Sequence, residues 1–189
     1  MRHDELRDLI RANTPLTHAL TIVRDSGLPD AWIGAGVLRD LVWDQRFGNG
    51  FDLHATRDID VAFFDPIDLN PTYDQHATTQ LTAISPDLPW EATNQAAVNT
   101  WYHTRFGGEP VPPLRDIAEA VATWPEYATA VAVRLDTHHH ITVCAPHGLD
   151  DLLDGIWRRN PTRVSPHTSQ QRLTRHLPAQ RWPRVRVIG

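Results

Sequence analysis

Residues 56–66 read TRDIDVAFFDP, and the architecture of the chain can be worked out from this stretch. Residues 59–64 are mostly apolar and predict a buried strand that Pro66 closes. Asp58 and Asp60 lie two apart at the start of that strand, so both side chains face one side of a sheet, about 6.6 Å apart along the strand. Adjacent carboxylates repel each other unless solvent, an arginine or a metal ion lies between them.

The composition is that of a globular protein without a disulfide framework. The chain has 189 residues, of which 41% are hydrophobic and 22% are charged, which suits one domain or one domain with a small appendage. Cys144 is the single cysteine, which excludes an intrachain disulfide. The N-terminus is polar and no apolar run approaches the length of a membrane span. We therefore expect a cytoplasmic protein with no membrane association.

The charge is distributed unevenly along the chain. Residues 1–154 contain all 23 acidic residues and ten arginines, whereas residues 155–189 contain eight arginines and no acidic residue. The body is therefore acidic and the C-terminal segment basic, although the formal net charge is only −5. Such a segment can fold back onto its own acidic body, or it can bind nucleic acid.

The hydrophobic pattern predicts alternating helices and strands. Before residue 107 we expect helices at 4–12, 15–25, 37–43, 71–84 and from about 94, and strands at 31–33, 59–64 and 89–93. GGEPVPP at 107–113 is the clearest break. Beyond it we expect a helix at 114–124, a hairpin of 126–135 with 141–145, and helices at 148–157 and 168–177.

This order of elements predicts an α/β (α+β) fold with a mixed sheet flanked by helices. We assign residues 1–106 to a core domain and residues 107–189 to a C-terminal extension that contains a β-hairpin and short helices and packs on the core. One continuous domain is the alternative.

A glycine-containing turn follows the first predicted strand. Residues 32–44 read WIGAGVLRDLVWD, a strand, a turn and a helix. Because Gly34 and Gly36 lack side chains, the backbone N–H groups can approach a phosphate at the N-terminus of the helix. Glycines at a strand-to-helix turn also serve backbone geometry alone.

Carboxylates provide the second and third features of a candidate site. Asp58 and Asp60 have the oxygen ligands that Mg²⁺ prefers; the alternative is a pair of solvent-facing acids. Glu91, in LPWEATNQ (88–95), lies in the next predicted strand and can join them as a third carboxylate. The alternatives are that Glu91 is an exposed residue paired with an arginine and that Glu126 is the third carboxylate.

The order of these features resembles that of the DNA polymerase β-like nucleotidyltransferase superfamily. More closely, WIGAGVLRDLVWD, DIDVAFFDP, WEATNQA, WPEYATAVAVRL, APHGLDDLL and RWPRVRV resemble a small bacterial nucleotidyltransferase-like family. The resemblance extends from about residue 30 to residue 189 and implies a polymerase β-like nucleotidyltransferase core.

The resemblance also implies a reaction and its residues. Asp58, Asp60 and Glu91 would be catalytic and would bind Mg²⁺ or Mn²⁺, and Gly34, Gly36 and Arg39 would bind the phosphates of a nucleoside triphosphate (NTP). A nucleoside monophosphate would pass to an acceptor hydroxyl, with release of pyrophosphate. For Arg39 the alternative is a structural pair with Asp40 or Asp44.

The acceptor stays open among RNA, a small molecule and a protein, with the arginine-rich C-terminal segment as a candidate nucleic-acid contact. Two other functions are compatible with the same sequence. One is a non-catalytic nucleotide-binding or regulatory module of this fold, and the other is an interaction protein of the toxin–antitoxin type.

Overall fold

The computed structural model of the chain describes residues 1–107 and 109–188. Its α-helices are α1 (Arg2–Arg11), α2 (Thr14–Asp25), α3 (Gly36–Phe47), α4 (Tyr73–Ile84), α5 (Val98–Phe106), α6 (Ile117–Ala122), α7 (Asp150–Asp154), α8 (Pro166–His176) and α9 (Pro178–Arg181). Its strands are β1 (Trp32–Gly34), β2 (Ile59–Phe63), β3 (Trp90–Asn94), β4 (Ala132–Leu135), β5 (Ile141–Cys144), β6 (Ile156–Arg158) and β7 (Arg186–Ile188). Short 3₁₀ helices cover Leu53–Ala55 and Gln95–Ala97. In the described part of the chain no helix is both long and apolar enough to cross a membrane.

Five strands form a mixed sheet in the order β3-β2-β1-β4-β5. The pair β2–β3 is parallel, and the other three neighbouring pairs are antiparallel. Strands β6 and β7 pair in parallel as a separate two-stranded sheet. The predicted mixed sheet flanked by helices is therefore confirmed.

The two faces of the large sheet have different roles. Ile33, Val61 and Val133 point into the main core, where the apolar sides of the helices cover them. Trp32 and Ala62, which alternate with them, belong to a smaller cluster on the opposite face. Because side chains alternate along a strand, Asp60 shares this opposite face with Ala62. The main core thus packs against one face of the sheet and leaves the other face, which carries Asp60, accessible.

Local signals account for where the first helices begin and what they bury. Asn13 caps α2, since its Oδ1 accepts a hydrogen bond from the Leu16 N–H at 2.9 Å, and Pro15 lies in the first turn. Leu38 and Leu41 of α3 are fully buried, and each contributes roughly 1.5–3 kcal/mol of hydrophobic free energy. Helix α3, which follows the glycine turn, is thereby anchored against the sheet.

The bounds of several predicted elements differ from the structure, and two of these differences have a clear local cause. The strand expected at 126–135 begins only at Ala132, because Thr129 and Ala130 both donate their backbone N–H to the Glu126 carbonyl in a turn. The helix expected at 148–157 ends at Asp154, where Gly155 adopts a left-handed φ of 68°. Strands β6 and β7 were not predicted.

Strands on both sides of residue 106 share the large sheet. β4 and β5, from the predicted extension, join it through the pairing of β4 with β1. The boundary between residues 106 and 107 stays a prediction, and the single sheet favours the alternative of one continuous domain.

Candidate active site

Gly34 ends β1 in a tightly packed position. A Cβ atom added there would lie 2.6 Å from the Trp124 side chain and 2.8 Å from the Val131 carbonyl oxygen. Packing against the indole ring and the neighbouring backbone therefore accounts for this glycine. Gly34 does not line the cavity described below.

Ala35 and Gly36 form the turn that faces the cavity. Ala35 has a φ of 58°, which is unfavourable for a residue with a Cβ. The backbone N–H of Gly36 lies near the Asp60 carboxylate and favours its ionised form. A Cβ on Gly36 would lie 3.7 Å from Arg39 Nη2 and 3.9 Å from Asp58 Oδ1. The turn, one arginine and both aspartates therefore converge on one spot.

The strand register brings the carboxylates together. Asp60 lies directly opposite Glu91 in the parallel pairing of β2 with β3, and Asp58 precedes Asp60 by two residues. Burial, followed by the charges of Asp58 and Glu91, raises the pKa of Asp60 to about 7. Without a cation, Asp60 is thus partly protonated near neutral pH.

The carboxylate oxygens at this site suit a hard divalent cation whose remaining ligands are oxygens of the substrate. Across residues 1–107 and 109–188, no three His, Cys, Asp or Glu side chains are arranged to hold a metal ion by themselves. Mg²⁺ commonly takes one or two protein carboxylates and fills its other positions with water and substrate phosphates. Asp58 and Asp60 on the cavity wall fit that mode of binding, with Glu91 beside Asp60.

A cavity of about 540 Å³ lies over the acidic face of the sheet. It is lined by the carboxylates and by the neutral side chains of Thr93, Gln95 and Thr129. Its positively charged lining residues are Arg39, Arg57, Arg105, Arg172, Arg175 and Arg181. A ligand that carries several negative charges and a bound cation matches this distribution.

Arg39 is buried and held in place. Its Nε and Nη2 donate to Asp40 Oδ1 at 2.9 and 2.6 Å, and its guanidinium lies 5.4–6.0 Å from the ring centroids of Trp43, Trp157 and Trp182. The pairing considered as an alternative from the sequence is therefore observed. Arg39 also lines the cavity, so a pre-positioned guanidinium is available to a ligand.

The basic C-terminal segment folds back onto the acidic body. Arg181 donates to Asp40 Oδ2 at 2.9 Å and to Asp44 Oδ2 at 2.8 Å. Trp182 is buried and its Nε1 donates to Asp44 Oδ1 at 2.7 Å. Self-docking, one of the two alternatives for this segment, is what the structure contains.

Glu126 lies outside the cavity lining and is fully buried. Both of its carboxylate oxygens accept hydrogen bonds from Arg172, at 2.6 and 2.9 Å. A buried carboxylate that is already paired is poorly placed to bind a cation in the cavity. Of the two candidates for a third carboxylate, the geometry favours Glu91.

His176 is a cavity residue that the sequence reasoning missed. Its ring centroid lies 5.5 Å from that of Trp157. Burial, and then the positive charges of Arg39 and Arg172, lower its pKa to about 4, so the imidazole is neutral at physiological pH. The absence of acidic residues from 155–189 indicated that this segment lies near negative charge. It did not indicate that His176 lines the cavity.

The chain is a nucleotidyltransferase with a polymerase β-like fold. The chain belongs to a nucleotidyltransferase family, whose model matches residues 21–187. No curated protein sequence matches the chain.

Several solved structures described as CCA-adding enzymes, or as a domain of one, are similar to this chain in fold. An NMR structure described as a CCA-adding enzyme head domain is 27% identical, with a TM-score of 0.81, and the match covers 98% of this chain and 95% of that one. A CCA-adding enzyme with CTP (14% identity, TM-score 0.60, 98% and 43% coverage) is similar in fold. So is the Thermotoga maritima CCA-adding enzyme complexed with tRNA (15% identity, TM-score 0.59, 98% and 42% coverage). This chain spans less than half the length of the latter two proteins.

Proposed function

We propose that the protein transfers a nucleoside monophosphate from an NTP to an acceptor hydroxyl, with divalent cations bound at Asp58 and Asp60. The observation that carries the proposal is the register of Asp60 with Glu91 in the lining of a cavity that also contains six arginines. The carboxylates provide a cation site, and the arginines provide a complementary site for phosphate oxygens.

Asp58 and Asp60 would hold the cation, with Glu91 as a further ligand or as the base. When bound, the cation neutralises charge on the reacting phosphoryl group and activates the attacking hydroxyl. The proposed dependence on Mg²⁺ or Mn²⁺ is supported by the pKa of Asp60, since a carboxylate destabilised by its acidic neighbours gains from a cation.

The protein itself contributes orientation and a fixed electrostatic field. The Gly36 N–H favours the ionised form of Asp60, and the turn at Ala35 and Gly36 has no bulky side chain to keep a phosphate away. Arg39, immobilised by Asp40 and three indole rings, would bind phosphate oxygens without losing conformational entropy at that moment. Such preorganised charge lowers the barrier to in-line displacement at the α-phosphorus.

For the acceptor we propose an RNA end. Trp101, Tyr102 and Phe106 of α5 form an aromatic cluster with centroid separations of 5.0–6.4 Å, and Arg105 lies over two of its rings. Arg105 and Phe106 also line the cavity, and Phe106 is 56% exposed. Exposed aromatic rings beside arginine are suited to stacking of unpaired bases. The complex of a CCA-adding enzyme with tRNA, similar in fold, agrees with this choice.

The reaction is tested by measuring NTP binding and pyrophosphate release with Mg²⁺ or Mn²⁺. We expect Asp60→Asn to abolish cation-dependent release while the protein stays folded. Asp8→Asn is the matched control, because Asp8 is an exposed carboxylate on α1, paired with Arg11, and we expect it to behave as wild type. NTP binding without pyrophosphate release against total cellular RNA, protein and small molecules would instead support the non-catalytic module.

The acceptor is tested separately with single-stranded RNA and an α-labelled NTP. We expect label at the RNA end and a steep loss of RNA affinity between 50 and 200 mM salt, as phosphate contacts predict. Label that enters only small molecules or protein would contradict the choice of RNA and leave the transfer reaction intact.

A further inference from the structure

Helix α8 forms a wall of the cavity although none of its residues is fully buried. It contributes Arg172, Arg175 and His176 to the lining. A helix without a buried apolar stripe gains little from hydrophobic packing. Specific polar contacts must therefore contribute much of what sets its position.

The strongest of these contacts is the ion pair between Arg172 and Glu126. Glu126 is 0% exposed, and its oxygens accept from Arg172 Nε at 2.6 Å and from Nη2 at 2.9 Å. Thr129 Oγ1 also donates to Glu126 Oε2, at 3.2 Å. An ionised carboxylate at this depth needs a cation beside it, and the two-point contact fixes the plane of the guanidinium.

The pair leaves part of the guanidinium available to the cavity. Glu126 engages Nε and Nη2, whereas Nη1 makes no hydrogen bond to any residue in the described ranges 1–107 and 109–188. The positive charge of Arg172 also stabilises ionised Asp60, so Arg172 and the carboxylates are close enough to interact. A ligand held at the aspartates therefore lies within the field of Arg172.

We propose that Arg172 binds the phosphate chain of the NTP and that Glu126 is the positioning residue that holds Arg172 for this task. The proposal rests on the proposed transfer reaction and adds two residues to its machinery. Arginine suits the role because its fork can satisfy the carboxylate with one edge and a phosphate with the remaining N–H groups, which a lysine ammonium cannot do in the same geometry.

Arg181 and Arg57, which also line the cavity, have ion-pair partners of a different kind. Arg181 bonds to two carboxylates of α3, and Arg57 lies 3.7 Å from Asp58, one of the proposed cation ligands. Arg172 differs because its partner lies behind the cavity wall rather than within it. The Glu126–Arg172 pair thus presents a positive group without placing a further negative charge in the cavity.

The test compares the affinities of the full-length protein for an NTP and for the matching NMP, by calorimetry with Mg²⁺. We expect Arg172→Lys to weaken NTP binding about 10- to 100-fold, and NMP binding much less. Glu126→Gln keeps the size of the side chain but removes the charge, and we expect a smaller loss of about 5- to 20-fold in the same direction. The exposed pair Arg115–Glu119 provides the controls Arg115→Lys and Glu119→Gln, which should leave both affinities unchanged.

A purely structural role for the pair predicts a different result. Both variants would then lower the melting temperature while the ratio of NTP to NMP affinity stays at the wild-type value, and that outcome overturns the proposal. Should Glu126→Gln fail to fold, Arg172→Lys still tests it, because Glu126 keeps a cationic neighbour. If the wild-type protein binds no NTP, the proposed function is refuted together with the role of Arg172. If it binds NTP but the variants keep the wild-type affinity ratio, only the role of Arg172 is refuted.

Discussion

Glu91 lies directly opposite Asp60 in the parallel pairing of β2 with β3, and Gly34 lies opposite Asp60 on the other side, in β1. One lateral row of the sheet thus links the glycine turn to two of the three carboxylates. A shift of β3 by one residue would turn Glu91 to the opposite face, because side chains alternate along a strand. The register therefore determines the site.

Asp60→Asn is expected to stabilise the protein in a pH-dependent manner when divalent cations are chelated. The pKa of Asp60 is about 7 in the folded protein, against an ordinary value of 3.8. Because the pKa is raised in the folded state, its contribution to stability is fully present below about pH 4 and falls as the pH rises from about 4 to about 7. The variant should thus match wild type below pH 4 and exceed it above pH 7 by up to about 4 kcal/mol, since each pKa unit corresponds to about 1.4 kcal/mol.

Urea denaturation at pH 4, 5.5, 7 and 8 in EDTA measures this difference. Asp8→Asn is the control and should show no comparable gain. An equal effect of Asp60→Asn at every pH would show that the acidic neighbours and burial do not act on Asp60 as described.

Ala35→Gly is expected to raise the free energy of unfolding by about 1 kcal/mol. Ala35 has a φ of 58°, and a non-glycine residue in such a conformation carries roughly 1–3 kcal/mol of strain, part of which the entropy of glycine in the unfolded chain offsets. Thermal and urea denaturation provide the measurement. A destabilised variant would contradict the strained turn.

Gly34→Ala and Gly36→Ala are expected to have opposite consequences. At Gly34 the added methyl group would lie 2.6 Å from Trp124, so we expect a loss of roughly 1–3 kcal/mol or more from overpacking. At Gly36 the methyl group meets only ordinary contacts, at 3.7 Å and beyond. That variant should fold normally but bind NTP more weakly, because the methyl group occupies the space between Arg39 and Asp58.

Melting temperature and NTP affinity, measured for both glycine variants, separate the two roles. If Gly34→Ala were as stable as wild type, the packing explanation for Gly34 would be wrong. Unchanged NTP affinity in Gly36→Ala would show that the turn is not part of the phosphate-binding site.

Trp182→Ala is expected to destabilise the protein by about 3–5 kcal/mol, the range for truncation of a buried tryptophan. Trp182 is 1% exposed, and its ring lies 5.0 Å from that of Trp43. Trp101→Ala on α5, where the side chain is only half-buried, should cost much less. Equal, small losses in urea denaturation would mean that the C-terminal segment is not part of the cooperative fold.

The sequence predicted the two strands that carry the acidic side chains of the candidate site and the mixed character of the sheet. Asp58 precedes the apolar strand β2, Asp60 is its second residue, and Glu91 is the second residue of β3, which pairs with it. These are local patterns with a period of two residues, which can be read without knowledge of distant contacts.

The arginines of the cavity could not be predicted in the same way. Arg172 reaches Glu126 across 46 residues, and Arg181 reaches Asp40 across 141 residues. Strand β7 pairs with β6 over a similarly non-local connection and is only three residues long. Composition indicated that residues 155–189 are basic, but which acidic partner each arginine contacts depends on tertiary packing.

The central claim is most directly tested with two preparations of one NTP, labelled at the α- or at the γ-phosphate, incubated with the protein, Mn²⁺ and RNA. Transfer of a nucleoside monophosphate predicts that α-label enters the acceptor and γ-label leaves as pyrophosphate, both only when Asp58 and Asp60 are intact. Retention of γ-label on the acceptor, or equal incorporation of α-label by Asp60→Asn, would contradict the account.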